Sequence, residues 1–177
     1  MQRIVAGIDT IEQHLEAIKQ TPEAYRPSCC PHCGLKILWQ HGHYERKADR
    51  RAGQDSLNPV PICRYCCSGC RRTCSRLPAC IAPRRWYDWS VQQAVLAQRL
   101  SGSPHRPGAP GAAPERRTAG RWWAWLQERR LLFEFHLRAR FADLGRTVDG
   151  SAFWRRVFES IGLAQAMIWL DREISVP

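Results

Sequence analysis

Lysine is nearly missing from this 177-residue chain: 24 of its 27 basic residues are arginine, and only 16 acids oppose them, leaving a net charge of +11. Arginine binds phosphate bidentately and stacks on bases, so a polyanionic partner is the first expectation. A long apolar run is missing too. None approaches the roughly 18 uncharged residues that span a bilayer, and the Ile4 to Ile8 stretch is cut by Asp9, too short for a signal sequence. Membrane insertion and export are therefore not expected, and the expected compartment is the cytoplasm. There is no Gly-rich phosphate loop and no Ser/His/Asp set. The length itself, one domain or two small ones, excludes a large multidomain enzyme.

Codon bias in a GC-rich genome would also raise arginine over lysine, so the distribution of charge is the better evidence. Residues 1–35 carry a net −1, 36–76 carry +6, 84–140 carry +7 and 141–177 carry −1. The positive charge is confined to the middle of the chain, the pattern of a nucleic-acid footprint.

Nine cysteines are present, eight of them between Cys29 and Cys74. An odd count in a reducing compartment argues against disulfides, and clustering of this kind asks for a metal. Cys30-Pro31-His32-Cys33-Gly34 has the form of a zinc knuckle, two thiolates three residues apart on a turn that glycine permits. Cys67 and Cys70 repeat that spacing on a Ser-Gly turn. Together they predict one structural Zn2+ held by Cys30, Cys33, Cys67 and Cys70. Cys63 with Cys66 is an alternative second pair, and a second site among Cys29, Cys63, Cys66, Cys74 and Cys80 lacks a clean knuckle. His32, His41 and His43 are expected to be exposed or backbone-bonded. Strands are predicted over 35–40 and 43–47, broken at Gly42, and over 60–65, with a polar loop from Asp49 to Asn58.

The remainder reads as helix. Thr10-Ile11-Glu12-Gln13 is a capping box, and Ile8, Ile11, Leu15 and Ile18 recur at helical spacing. Thr21-Pro22-Glu23 can start a further turn. A second capping box at Ser90 opens a helix to Leu100, with Val91, Ala94, Val95 and Leu96 as its buried side. A Pro/Gly-rich loop over 103–114 cannot hold a regular helix. Pro114 and Glu115 then open a long helix ending near Gly145, with Trp122, Trp125, Leu126, Leu132, Phe133 and Leu137 inward. Arg116, Arg117, Arg121, Arg129, Arg130, Arg138 and Arg140 fill its other faces. Like charges at i and i+4, as with Arg117 and Arg121, repel unless an anion answers them, so phosphate contact is expected there. Arg71, Arg72 and Arg76 of the cysteine-rich segment are the other basic candidates. Trp122, Trp123 and Trp125 are expected in the core rather than stacked on bases. Two apolar helices follow, the first capped by Ser151 and separated from the second by Gly162. They are expected to cover the Trp-rich face or to meet a second subunit or other protein partner. Asp143, Asp149, Asp171 and Glu173 are expected as caps or solvated acids, and no carboxylate set suggests catalysis.

The order Cys30-Pro31-His32-Cys33-Gly34, His41-Gly42-His43-Tyr44-Glu45-Arg46, then Arg64-Tyr65-x-Cys67-x-x-Cys70-x-x-Thr73-x-Ser75-x-Leu77-Pro78 resembles the zinc-ribbon head of bacterial insertion-sequence transposases and their stand-alone relatives. In those proteins a helix-turn-helix follows the ribbon. Pro83-Arg84-Arg85-Trp86 looks like the start of that module, and Arg117-Thr118-Ala119-Gly120-Arg121 like its recognition helix, which adds Arg84, Arg85 and Thr118 to the expected contacts. The chain departs from the pattern at 103–113, where a middle helix would stand, and at Cys74, where an aromatic residue is usual. The resemblance implies a bacterial, nucleoid-associated protein and a transposase partner, without the long sheet domain that carries transposase catalysis.

The expected architecture is α+β: an N-terminal amphipathic helix (1–27), a small four-cysteine zinc ribbon of short antiparallel strands (28–80), a basic, mainly α-helical, helix-turn-helix-like module (84–142) and an apolar helical tail (143–177). The expected function is zinc-dependent binding of double-stranded DNA, at transposon ends or as a regulator, by a protein that is not itself an enzyme. An RNA-binding zinc ribbon, a nuclease fragment and a protein-interaction adaptor are the alternatives.

Overall fold

Thr10 starts the first helix, α1 (Ile11–Gln20), as the capping box predicts: its hydroxyl accepts from the Gln13 amide at 3.1 Å, and the Gln13 side chain accepts from the Thr10 amide at 3.2 Å. The residue this helix buries fully is none of the predicted apolar positions but His14. Its Nε2 lies 2.7 Å from the Pro61 carbonyl and its Nδ1 2.5 Å from the hydroxyl of Tyr25, which ends the 3₁₀ turn Pro22–Tyr25. A carbonyl only accepts, so Nε2 carries the proton and Nδ1 accepts from Tyr25. One neutral imidazole thus ties helix, turn and sheet together.

The structure, a computed structural model, describes residues 1–49, 51, 53–83, 86–103, 114–174 and 176. These form a mixed α+β chain with a four-stranded sheet and five α-helices, in two units built on Met1–Trp86 and Tyr87–Ile174. The four expected segments therefore group in pairs.

In the first unit the strands are β1 (Gln2–Val5), β2 (Leu38–Arg46), β3 (Val60–Cys67) and β4 (Thr73–Pro78), in the order β1-β4-β3-β2. β2, β3 and β4 are antiparallel neighbours, and β1 runs parallel to β4. The two strands predicted around Gly42 are one strand whose register shifts between Gln40 and His43, where Gly42 takes a positive φ. β1 and β4 were not expected. Neither carries a clear alternating apolar pattern, and each is held by a partner distant in sequence. Alternation along β3 sends Cys63, Tyr65 and Cys67 to one side, with Leu38, Cys74 and Tyr25, and Val60 and Ile62 to the other, with Leu77 and Ile81. Both clusters are small.

In the second unit α2 (Trp89–Leu100) is capped by Asp88, not Ser90. The Asp88 carboxylate accepts from the Val91 amide at 2.9 Å and from the Ser90 hydroxyl at 2.7 Å, while Ser90 is already helical. It buries Trp89, Gln92, Val95, Leu96 and Leu100, and Ala94 stays exposed. Pro114 and Glu115 precede α3 (Arg116–Arg140) rather than joining it, and a 3₁₀ turn over Ala142–Arg146 follows it. Residues 104–113 of the predicted loop lie outside the described residues. α4 (Gly150–Ser160) is capped by Asp149, which accepts from the Ala152 amide at 2.8 Å, in place of the predicted Ser151. α5 (Gly162–Glu173) begins at the predicted break.

Phe153, Trp154, Val157, Leu163, Met167 and Leu170 from these last helices are buried with Trp122, Leu126, Phe133 and Leu137 of α3. The tail packs on α3 within the chain, the Phe133 ring meeting Trp154 of α4 edge-on, while Trp122 packs on Tyr87. Leu132, predicted inward, is exposed together with Leu131 and Phe135, because Phe133 takes the inward position at that turn.

Burial lowers the His14 pKa below its ordinary 6.5, against the raising effect of the Pro61 carbonyl. At pH values between the two pKa values the unfolded chain binds a proton that the folded one does not, so this contribution is full above the unfolded pKa and is lost as pH falls from there through the lowered folded pKa. Denaturant melts are expected to show a stability loss that sets in as pH falls below about 7 and that His14→Gln reduces, from a baseline lower by about 1–3 kcal/mol.

Candidate metal centre and basic surface

The two Cys-x-x-Cys turns are built alike. In the first, the Gly34 amide donates to the Cys30 carbonyl at 2.8 Å and the Cys30 amide to the Leu35 carbonyl at 2.9 Å. In the second, the Arg71 amide donates to the Cys67 carbonyl at 2.9 Å and the Cys67 amide to the Arg72 carbonyl at 3.1 Å. The same position after each second cysteine is left-handed, with φ 75° at Gly34 and 60° at Arg71. Glycine is the residue that position favours. Arginine there is the exception.

These turns bring Cys30, Cys33, Cys67 and Cys70 together, with all four sulfurs within 4.8 Å of one another. Cys30 Sγ lies 3.7 Å from Cys70 Sγ, and Cys33 Sγ lies 3.6 Å from Cys67 Sγ. Four sulfurs at about 2.3 Å around one metal would be about 3.8 Å apart at the corners of a tetrahedron, so the cage has the right size. Burial opposes ionisation at Cys30, but the His32 and Cys33 amides, with the Cys33 and Cys70 thiols, outweigh it and bring Cys30 down to about 7. At Cys33 the Leu35 amide favours the thiolate, yet burial and the Cys67, Cys70 and Cys30 sulfurs push it up to about 12. Such a cluster ionises fully only around a cation.

The alternative pair fails on strand geometry. Cys63 and Cys66 stand three apart on β3 and therefore point to opposite faces. Burial raises Cys63 and Cys74, and pushes Cys80 up to about 11, so these thiols act as small core residues. Among the described residues the four-cysteine group is the only one of three or more ligating side chains close enough to share a metal. The His32 amide donates to Cys30 Sγ at 3.4 Å, and His41 packs edge-on against Trp39.

Six of the seven arginines of α3 fall into two sets, and half-buried Arg129 belongs to neither. Arg130 and Arg138 flank buried Glu134 at 3.5 and 3.9 Å. Arg138 also donates to the Leu144 and Thr147 carbonyls and lies over the Phe153 ring, and Arg140 lies over Phe141 and Trp169. These cations hold the end of the unit together. At the other end Arg116, Arg117 and Arg121 are exposed, and Arg121 donates to the hydroxyl of half-buried Thr118 at 3.1 Å. Arg71 and Arg72 are exposed, whereas Arg76 donates to the Tyr25 carbonyl. Arg84 and Arg85 lie outside the described residues. Trp122 is buried, and Trp123 and Trp125 are half-buried. Asp149 is a cap, but Asp171 is buried, neither cap nor solvated acid. Sequence reasoning missed Trp39, exposed on β2; its alternation with Leu35 and Ile37 was the available signal.

Residues 30–122, from the first cysteine turn into α3, match the family described as a domain of unknown function, DUF6431. The chain belongs to this family. No curated protein and no solved structure matches it. No helix among the described residues is long and apolar enough to cross a membrane.

The unequal residues at the two left-handed positions set a stability order. A side chain there costs roughly 1–2 kcal/mol, partly offset by the greater unfolded-state entropy of glycine. Arg71→Gly is therefore expected to exceed Arg71→Ala by about 1 kcal/mol in denaturant melts, and Gly34→Ala to lose about as much.

Proposed function

We propose that this member of the family is a zinc-dependent DNA-binding protein, related to the heads of insertion-sequence transposases, that binds duplex DNA without cutting it. Four thiolates in a tetrahedral cage are the donor set of a structural zinc, and no open position is left for catalysis. When bound, the ion neutralises the thiolates and closes the loop between the two turns. The two small core clusters of the first unit supply little folding energy, so the metal would carry much of it.

The observation that carries the DNA reading is the split among the arginines of α3. Cations used internally sit towards its end, while Arg116, Arg117 and Arg121, on its first two turns, have no carboxylate partner among the described residues. The helix dipole and uncapped first-turn amides favour an anion at the same end. α3 would serve as the recognition helix of a helix-turn-helix-like module. A homodimer or transposase partner, expected through the tail, would use instead Leu131 and Phe135, which are 76% and 68% exposed.

Elemental analysis is expected to find one zinc per chain, lost in Cys30→Ser, and chelation to unfold the first unit while the helices of the second persist in circular dichroism. Full zinc and stability in the variant would overturn the site. The triple variant Arg116→Ala, Arg117→Ala, Arg121→Ala is expected to lower the salt slope of duplex binding by about 0.9 for each phosphate that is no longer neutralised. If one of the three reads a guanine, its single replacement should cost about 1–3 kcal/mol at one base position. Duplex affinity unchanged in the triple variant would leave these residues a solvated surface.

A further inference from the structure

One face of the first unit's sheet carries an open aromatic ring among cations. Alternation puts Trp39 of β2, Arg64 and Cys66 of β3, and Thr73 and Ser75 of β4 on the same side, opposite to buried Tyr65 and Cys74. Trp39 pairs directly with Cys66, and Cys66 with Thr73. The Cys66 thiol reaches the Arg71 carbonyl at 3.8 Å, so the second cysteine turn borders this face. Trp39 is 44% exposed, and its ring meets His41 edge-on at 4.8 Å. Arg64, Arg71 and Arg72 are exposed and have no carboxylate partner among the described residues. The one acid of these strands, Glu45, pairs with Pro61 and so points to the other face.

An exposed Trp on an edge strand is a liability unless something uses it. A flat ring on the same face as a guanidinium group, with the one acid of the strands turned to the other face, suits a base face with its flanking phosphates. A duplex hides its base faces by stacking, so the fitting ligand is an unpaired strand. Arg71 supplies a second, independent indication. The matching position of the first turn holds Gly34, the residue that backbone favours, and Arg71 keeps a long cationic side chain there at a cost in strain.

We propose that this face binds single-stranded DNA, one unpaired base stacking on Trp39 and its neighbouring phosphates meeting Arg64, Arg71 and Arg72. This extends the DNA-binding function proposed above to a second ligand form, bound by the first unit through residues that duplex contact on α3 does not involve.

The test uses the zinc-loaded full chain, a labelled oligo(dT) of about 12 nucleotides and a labelled duplex, followed by anisotropy at several salt concentrations. Trp39→Ala is expected to weaken oligo(dT) binding roughly tenfold, and Trp39→Phe, which keeps a ring, to restore most of it. Arg71→Gly should lower the single-strand salt slope by about 0.7 with zinc content and stability kept or raised, an outcome a merely structural arginine would not produce. The triple α3 variant should lose duplex and keep oligo(dT). Unchanged oligo(dT) binding in folded, zinc-loaded Trp39→Ala and Arg71→Gly overturns the proposal. So does duplex binding without single-strand binding, which leaves the α3 reading standing. Failure of both ligands to bind overturns the two together.

Discussion

Four sulfurs held within 4.8 Å of one another are the constraint on which the first unit depends. Without a cation they cannot all ionise: Cys30 gives up its proton near neutrality, and Cys33 is held protonated by its neighbours. The geometry that gathers them is backbone geometry, two turns with matching amide-to-carbonyl bonds. Everything between the turns, β2, the polar loop and β3, is a chain segment closed at both ends by that cluster. The sheet adds a core on each face, but each is a few side chains deep, and a buried neutral histidine does part of the tying that a larger core would do.

The second unit shows how an arginine count misleads. Seven arginines lie on α3, yet those at its end are committed to Glu134, to carbonyls of the following turn and to aromatic faces. Charge used in this way stabilises the fold and offers little to a ligand. Glu134 is buried and pairs with both Arg130 and Arg138. Arg116, Arg117 and Arg121, without a carboxylate partner among the described residues, lie at the start of the helix, the end whose dipole is positive. Repulsion between Arg117 and Arg121 at that end meets no carboxylate among the described residues, whereas Arg130 and Arg138 have theirs in Glu134.

The two units thus concentrate open positive charge in different chemical settings. On the sheet it borders an exposed indole, and on the helix it stands alone. Stacking and phosphate contact together suit unpaired bases, and phosphate contact with a groove-sized helix suits a duplex. A member of a family of unknown function is given, by this division, two proposed ligand forms that separate experimentally by residue.

Local chemistry was enough to determine several features from the sequence itself. The capping box at Thr10, the Pro22 turn, the break at Gly162 and the Cys30–Cys33 and Cys67–Cys70 turns each follow from spacing and turn residues within a few positions of each other. Other features needed a partner distant in the chain. β1 and β4 have weak strand patterns and exist because each pairs across the sheet. Asp88 and Asp149 hold the caps expected of Ser90 and Ser151 because the chain enters each helix two residues earlier than those serines imply. Cys66 was excluded as a partner of Cys63 only once β3 set them on opposite faces. His14 in place of an isoleucine at the centre of α1, and Trp39 left open on β2, were decided by what packs over each face, and periodicity along one segment carries no information about its neighbour.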